Sequence, residues 1–318
     1  MKKLVLIDGH AILHRAYYAL PKTLKTRKGE MLNAVYGFTR MLLKVISDLK
    51  PTYLAVTFDL PKPTFRHKEY IGYQAQRPKM ETELKNQIER IYQVVRALNI
   101  PIFAVEGYEA DDVIGTLANQ AAKKKVEAII VTGDKDLLQL VEPKIKVYAP
   151  KKGFSEPVLY DKGKVKKEMG IKPGQIVDYK ALVGDASDNY PGVPGVGPKT
   201  ATMLLGEYKD LDTIYKDLPE IDKIKPTIAK KLIEGRESAE LSRKLAQIVT
   251  NVPIKLNLKA CLIHDYDHQK AQKLFEELGF KSLIEKLPGV KKPNGKKATL
   301  KTQKKTEDTE KNEQMRLV

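Results

Sequence analysis

The sequence contains few of the residues that cross-link a chain or anchor it in a membrane. Its 318 residues include one cysteine, Cys261, and no tryptophan. A single cysteine excludes an intrachain disulfide and fits a reducing compartment. The apolar run at residues 4–7 is far shorter than a secretory signal or the roughly 20 residues of a membrane span. We therefore expect a cytoplasmic protein that does not enter a membrane.

Positive charge is in excess: 57 Lys and Arg stand against 40 Asp and Glu, a net charge of +17. This balance favours a polyanionic partner, either a nucleic acid or an anionic membrane surface. Residues 290–318 hold nine basic and four acidic residues and few apolar ones, so they carry +5 of that charge. Their composition predicts a disordered basic tail. A solvated linker explains this segment as well as a DNA-binding arm does.

Strand and helix patterns alternate in the first half of the chain. Short apolar runs at 4–7, 53–58, 102–105 and 128–132 predict strands, and the segments between them show helical periodicity. Such β-α-β order indicates an α/β domain over residues 1–160, with a mainly parallel sheet between helices. Residues 161–289 are mostly helical in pattern and predict a second domain.

Acidic residues recur where the predicted strands end, and the carboxyl ends of parallel strands share one edge of a sheet. Helix N-capping or a helix-dipole contact explains any one of these residues alone. Nine of them at one edge would repel one another without cations. The candidate metal ligands are Asp8, Asp59, Glu109, Asp111, Asp112, Asp134, Asp136, Asp185 and Asp188.

The ligand set contains oxygen donors only, which selects Mg²⁺ or Mn²⁺ over zinc. Two such ions, about 4 Å apart, are the usual apparatus for hydrolysing a phosphodiester. The carboxylate set therefore predicts two divalent ions acting on a phosphate backbone.

A glycine- and proline-rich hairpin spans residues 184–201. Pro198 interrupts the spacing of a triphosphate-binding loop, so we reject that interpretation. A hairpin before a helix instead offers backbone N–H groups to one DNA phosphate. An ordinary corner between two helices is the alternative. The candidate DNA contacts here are Gly192, Gly195, Gly197, Lys199 and Thr200.

Residues 60–81 interleave basic and aromatic side chains between prolines, as a path for a single strand requires. A mobile surface loop has the same composition. The candidate DNA contacts in this segment are Arg66, Lys68, Tyr73 and Gln74.

Seven motifs in register resemble the 5′-nuclease domain of bacterial DNA polymerase I, a relative of flap endonucleases. They are Asp8-Gly9-His10, Arg15-Ala16-Tyr17, Ala34-Val35-Tyr36-Gly37-Phe38, Phe65-Arg66-His67, Gly107-Tyr108-Glu109-Ala110-Asp111-Asp112, Asp134-Lys135-Asp136-Leu137 and the 184–201 hairpin. The resemblance covers residues 1–287. It implies a PIN-like nuclease domain, a helix-three-turn-helix domain that grips duplex DNA, and a helical arch at 60–81.

The resemblance also implies roles. The first metal cluster would be Asp8, Asp59, Glu109, Asp111, Asp112 and Asp134, and the second would be Asp136, Asp185 and Asp188. Arg15 and Arg77 would act at the scissile phosphate, and one K⁺ would bind the hairpin. The implied substrate is branched or 5′-flapped DNA, or an RNA–DNA hybrid. A monomer that works with a DNA polymerase is expected.

One position departs from the family pattern. The arch usually reads Tyr-Lys-x-x-Arg, but here Gln74 replaces the lysine while Arg77 is kept. Lys68 or Lys79 could supply the missing charge. Two alternatives remain open: a branched-DNA-binding protein with impaired catalysis, and a PIN-type ribonuclease. The first would be favoured by Gln74, and the second would need neither arch nor hairpin.

Overall fold

A computed structural model describes residues 2–26, 28–150, 157–218, 224–263 and 265–289. A single six-stranded sheet forms its centre, in the order β3-β2-β1-β4-β5-β6. The first five strands are parallel, and β6 runs antiparallel to β5. The strands are β1 (Lys3–Asp8), β2 (Tyr53–Thr57), β3 (Ile102–Phe103), β4 (Glu127–Val131), β5 (Ile145–Pro150) and β6 (Pro157–Tyr160).

Helices cover both faces of this sheet and make up most of the second half of the chain. In the first half they are α1 (Gly9–Ala19), α2 (Asn33–Leu49), α3 (Phe65–Glu69), α4 (Thr82–Lys85), α5 (Ile88–Ala97) and α6 (Ala110–Lys123). In the second half they are α7 (Lys162–Met169), α8 (Ile176–Val183), α9 (Pro198–Tyr208), α10 (Leu211–Asp217), α11 (Pro226–Glu234), α12 (Arg236–Ala246), α13 (His268–Glu277) and α14 (Lys281–Ile284). Short 3-10 helices occupy Asp136–Leu140 and Pro173–Gln175.

Alternating side chains of β1 separate two hydrophobic cores. Leu4 and Leu6 face a core that includes α6 and continues into the second half of the chain. Val5 and Ile7 face the other core, which includes α1, α2 and α5. Both faces are covered because successive strand residues point to opposite sides.

The C-terminal segment returns to the first half of the chain. The backbone N–H of Leu54 donates to the carbonyl of Cys261 at 2.7 Å, beside the short strand β3. Phe275 and Phe280, from α13 and the residue before α14, are buried in the same core as α2 and α5. Buried side chains at 271–287 therefore complete the core that contains α2 and α5, although the sequence analysis assigned these residues to the second domain.

The predicted α/β class, the mainly parallel sheet and the helical second half are confirmed. Strands β5 and β6 were not predicted. Among the described residues, no helix has both the length and the apolar character needed to cross a membrane. The predicted tail at 290–318 lies outside the described residues.

Candidate active site

The carboxyl ends of β1, β2 and β4 open into a cleft of about 590 Å³. The cleft forms where a parallel sheet presents the ends of neighbouring strands together. Seven of the nine predicted carboxylates line it: Asp8, Asp59, Glu109, Asp111, Asp134, Asp136 and Asp188. Asp112 and Asp185 are not among the residues that line it.

Asp8 and Asp59 are fixed by local hydrogen bonds at the strand ends. Asp8 is 5% exposed and caps α1 by accepting the N–H of Ala11 at 3.0 Å, and it also accepts the hydroxyl of Thr132 at 2.7 Å. Burial outweighs these bonds and raises its pKa to about 6. Asp59 accepts the N–H of Ala110 at 2.7 Å, which ties the end of β2 to the start of α6.

Asp111 and Glu109 are carboxylates whose pKa is raised by burial and by neighbouring negative charges. Burial, followed by the negative charges of Asp8, Asp134 and Asp59, raises the pKa of Asp111 well above its usual range. Burial also raises the pKa of Glu109 to about 7, although Arg66 opposes the shift. Carboxylates in this state gain much from a bound cation, because it removes both costs.

On the other side of the cleft, lysine and arginine side chains contact the carboxylates, as Arg66 contacts Glu109 on the first side. Lys180 Nζ lies 2.7 Å from Asp136 Oδ1 and also contacts Asp185. Arg77 pairs with Asp188. Hydrogen bonds from Lys180 and Ser187 outweigh burial and lower the pKa of Asp185 to about 2. Asp136 keeps a raised pKa of about 6, because burial and Asp134 outweigh Lys180.

Two glycines close the loop that carries Asp185 and Asp188. Gly184 has φ +76° and Gly192 has φ +64°, and a Cβ on Gly192 would lie 2.2 Å from the backbone nitrogen of Gly184. Only glycine allows the end of α8 and the start of the hairpin to meet so closely. The loop between them therefore directs both carboxylates toward Lys180 and Arg77.

Asp112 and Arg66 form a buried ion pair. Asp112 is 0% and Arg66 is 2% exposed, and two guanidinium–carboxylate bonds of 2.8 and 2.9 Å join them. Arg66 also donates to the carbonyls of Leu245 and Gln247. The pair ties α3 to α6 and to the end of α12. The metal role predicted for Asp112 and the DNA contact predicted for Arg66 stay predictions, since the two side chains satisfy each other's charge in this structure.

The segment 60–81 contains one short helix, α3, followed by turns, and it folds against the cleft. Tyr73 is 3% exposed, and its hydroxyl lies 3.2 Å from Glu109 Oε2 and 3.3 Å from Asp188 Oδ2. The sequence analysis listed Tyr73 as a DNA contact, but in this structure its buried ring is not open to stack on a base. Gln74 has φ +55° and contacts Asp188 through both its backbone N–H and its side chain. Lys68 is exposed on α3.

The hairpin leads into α9 through Gly197, which is the N-cap residue, and Pro198. Lys199 is exposed and Thr200 is half-buried at this helix start. Gly192 is buried, and its N–H donates to Ser242 at 3.0 Å, so it is not available to a phosphate. The carbonyl of Gly195 accepts Lys231 Nζ at 3.1 Å. Of the predicted contacts, Gly195, Gly197, Lys199 and Thr200 stay accessible to a ligand.

Arg15 lies beside the main cleft. It lines a neighbouring depression of about 320 Å³, which shares Asp134 with the cleft and also contains Lys135. Sequence reasoning missed three side chains that belong to the site: His10 and His14 line the cleft, and Lys180 joins Asp136 to Asp185. The one signal for Lys180 was its position on the last turn of the helix before Asp185.

The donor set fits divalent ions in its chemistry. In the part of the chain that the structure describes, no three His, Cys, Asp or Glu side chains are arranged so that they could hold an ion as they stand. Their oxygens instead accept protein donors, as Asp59 does from Ala110 and Asp134 does from Asp136 at 2.8 Å. The raised pKa values of Asp8, Asp111 and Glu109 mark where a cation relieves repulsion.

Comparison with known proteins identifies the family. Residues 3–170 match the 5′-3′ exonuclease N-terminal resolvase-like domain, and residues 171–269 match the 5′-3′ exonuclease C-terminal SAM fold. The chain belongs to the 5′-3′ exonuclease family. Its resemblance to the polymerase I nuclease domain is confirmed, and the family assigns it to the nucleases, which are hydrolases.

Curated relatives include the DNA polymerases I of Chloroflexus aurantiacus, 46% identical over 294 residues, and Bacillus subtilis, 42% identical over 287 residues. Each match covers 90% of this chain but only 31% and 32% of the relative. The chain thus spans about a third of the length of these polymerases.

Solved structures share the fold at low sequence identity. A bacteriophage T5 flap endonuclease, in a pseudo-enzyme-product complex with DNA and metal ions, superposes with a TM-score of 0.65 at 18% identity. That match covers 87% of this chain and all of the T5 chain. The catalytic core of Rad2, in complex with DNA substrate, gives a TM-score of 0.61 at 17% identity, covering 90% of this chain and 91% of the other.

Proposed function

We propose that this exonuclease-family chain is a Mg²⁺- or Mn²⁺-dependent 5′-3′ exonuclease and 5′-flap endonuclease. The observation that carries the proposal is the row of seven carboxylates in one cleft, several with raised pKa values, on a chain of net charge +17. The carboxylates of the cleft suit divalent ions, and the positive charge of the rest of the protein suits a polyanionic backbone as substrate.

The proposed ligands fall into two sets. Asp8, Asp59, Glu109, Asp111 and Asp134 would hold the first ion, and Asp136, Asp185 and Asp188 would hold the second. When bound, the ions activate a water molecule and neutralise the leaving oxygen. Asp112 is left out because its carboxylate is enclosed by Arg66 and backbone donors.

Other residues would position the substrate. Lys199 and the N–H groups at the start of α9 would bind a phosphate of the duplex, since a helix N-terminus with a nearby cation attracts an anion. Arg77 lines the cleft and pairs with Asp188. Once the Arg77 side chain has moved away from Asp188, it would contact the scissile phosphate. The K⁺ at the hairpin, the polymerase partner, action on RNA–DNA hybrids, the monomeric state and the cytoplasmic location remain predictions.

A cleavage assay on a 5′-flap DNA, with the matching RNA and single-stranded DNA in parallel, tests this function. Mg²⁺ or Mn²⁺ should permit cleavage and EDTA should abolish it. Asp134→Asn should lower the single-turnover rate by roughly two or more orders of magnitude, because it removes a central metal ligand. Asp267→Asn is the control, since this residue caps α13 and pairs with Lys270, and it does not line the cleft.

The outcomes separate the competing functions. Binding of flap DNA without cleavage in Mg²⁺ would identify a junction-binding protein, and preferential cleavage of RNA would identify a ribonuclease. Full activity of Asp134→Asn in Mg²⁺ would overturn the metal assignment.

A further inference from the structure

Lys180 occupies an unusual position for a lysine. It lies on the last turn of α8, it is 18% exposed, and its ammonium contacts carboxylates from two separate elements. One is Asp136, at the start of a 3-10 helix, and the other is Asp185, in the loop after α8. A single cation that bridges two largely buried carboxylates stands where a metal ion would otherwise satisfy them.

We propose that Lys180 is a built-in counter-cation for Asp136 and Asp185 that competes with the second divalent ion. The inference rests on the proposed metal-dependent function and adds an order to its assembly. The first set of carboxylates takes an ion readily. The second set takes one only after Lys180 Nζ has been displaced.

The contrast between the two sets supports this order. In the first set, Asp8 accepts its hydrogen bonds from uncharged donors, the N–H of Ala11 and the hydroxyl of Thr132, so an ion there would replace no ion pair at that residue. Asp185 and Asp188 instead hold Lys180 and Arg77, so an ion there must replace favourable ion pairs. A cation gains less where another cation already stands, because the two repel at short range.

The backbone makes the arrangement durable. The close contact between Gly184 and Gly192 holds Asp185 beside the end of α8, and the N–H of Gly184 donates to the carbonyl of Lys180 at 2.8 Å. Asp185 also accepts the N–H and the hydroxyl of Ser187. Displacing the ammonium therefore requires the lysine side chain to move, since the carboxylate is fixed.

Mn²⁺ titration in the absence of DNA, followed by EPR of the free ion, measures this competition directly. Wild type should bind one ion tightly and a second more weakly. In Lys180→Met the second step should tighten by about tenfold or more, because a unit charge next to the site has been removed. Lys180→Arg keeps the charge and should retain the weak second step.

Thermal unfolding gives a second measure. Lys180→Met should melt below wild type in EDTA and should gain more from Mn²⁺ than wild type does, since the ion replaces the missing charge. Lys146→Met is the matched control. Lys146 Nζ lies 2.8 Å from the buried Glu127, and neither residue lines the cleft. This control variant should leave both Mn²⁺ steps unchanged. If Lys180→Met does not fold, the neutral Lys180→Gln serves the same comparison.

The failures are distinguishable. A second step that is unchanged or weaker in the neutral variants, while the first ion still binds, would overturn only this inference. A lower melting temperature that Mn²⁺ does not restore would reduce Lys180 to a structural residue and overturn it as well. No Mn²⁺ binding in wild type would overturn the proposed function together with the inference.

Discussion

Removal of divalent ions should make this protein less stable as the pH rises. Burial raises the folded-state pKa of Asp8 from 3.8 to about 6 and that of Glu109 from 4.5 to about 7. A carboxyl group with a raised folded pKa contributes stability that is present below its unfolded pKa. That contribution is lost as the pH rises through the folded pKa. The metal-free protein should therefore lose stability between about pH 4 and pH 7.

The size of the loss follows from the shifts. Each shift of somewhat more than two pKa units corresponds to about 3 kcal/mol at pH 8. Solvent screens these groups little, since Asp8 is 5% exposed and the Glu109 side chain 16%. The two lie among the same carboxylates and are not independent, so the combined loss is on the order of 3–6 kcal/mol. A divalent ion should abolish most of it.

Urea unfolding at pH 5 and pH 8, with Mg²⁺ or with EDTA, measures this effect. The difference between the two arms should be small at pH 5 and several kcal/mol at pH 8. Comparing the arms at one pH removes the general repulsion of a chain with net charge +17. An equal difference at both pH values would refute the reasoning.

Two variants sharpen the test. Asp111→Asn removes a buried charge from the centre of the repulsion, so it should be more stable than wild type in EDTA at pH 8 and should respond less to Mg²⁺. Asp48→Asn is the control with the opposite sign, because Lys44 and Tyr148 outweigh burial and lower the pKa of Asp48. It should lose stability equally with and without Mg²⁺.

Three further substitutions probe the buried Arg66–Asp112 ion pair, the hairpin at 184–201 and the segment 60–81. Arg66→Met leaves a buried carboxylate without its cation, so the free energy of unfolding, measured in urea, should fall by about 3–5 kcal/mol; a change below 1 kcal/mol would contradict the buried ion pair. Lys199→Ala should weaken duplex binding in fluorescence anisotropy and reduce the log–log salt slope by about 1; an unchanged slope would remove Lys199 from the phosphate contacts. Gln74→Lys should speed single-turnover flap cleavage by about tenfold, since a charged donor holds phosphate more strongly than a neutral one. No gain, combined with a severe loss in Lys68→Ala or Lys79→Ala, would show that one of these lysines already supplies the charge.

The architecture was predictable because the first strands are short, mostly apolar and closely followed by acidic residues. Strand β5 was harder to predict. Lys146 interrupts its apolar residues, Pro143 and Lys144 precede it, and Pro150 ends it. Strand β6 has four residues at the sheet edge and depends on pairing with β5. The return of Phe275 to the first domain is a long-range contact, which local periodicity does not report.

The location of the site was also predictable, but the partners of its residues were not. Strand ends brought Asp8, Asp59 and Asp134 together in one cleft, as the rule for parallel sheets requires, and helix starts and a loop supply the other four carboxylates. The pairing of Arg66 with Asp112 joins residues 46 positions apart, and that of Lys180 with Asp136 spans a similar distance along the chain. Each depends on which elements pack side by side, and no spacing rule connects them.

The neighbouring residues Asp111 and Asp112 show what separates a proposed ligand from a structural charge. An α-helix turns about 100° per residue, so two adjacent side chains in the first turn of α6 face different surroundings. Asp112 faces Arg66, and its oxygens also accept backbone N–H groups from Glu109 and Val249, so its charge is satisfied without an ion. Asp111 faces other carboxylates, and burial together with their charges raises its pKa. Composition and spacing treat the two residues alike, and only the helix rotation pairs one with Arg66 and turns the other toward the proposed cation.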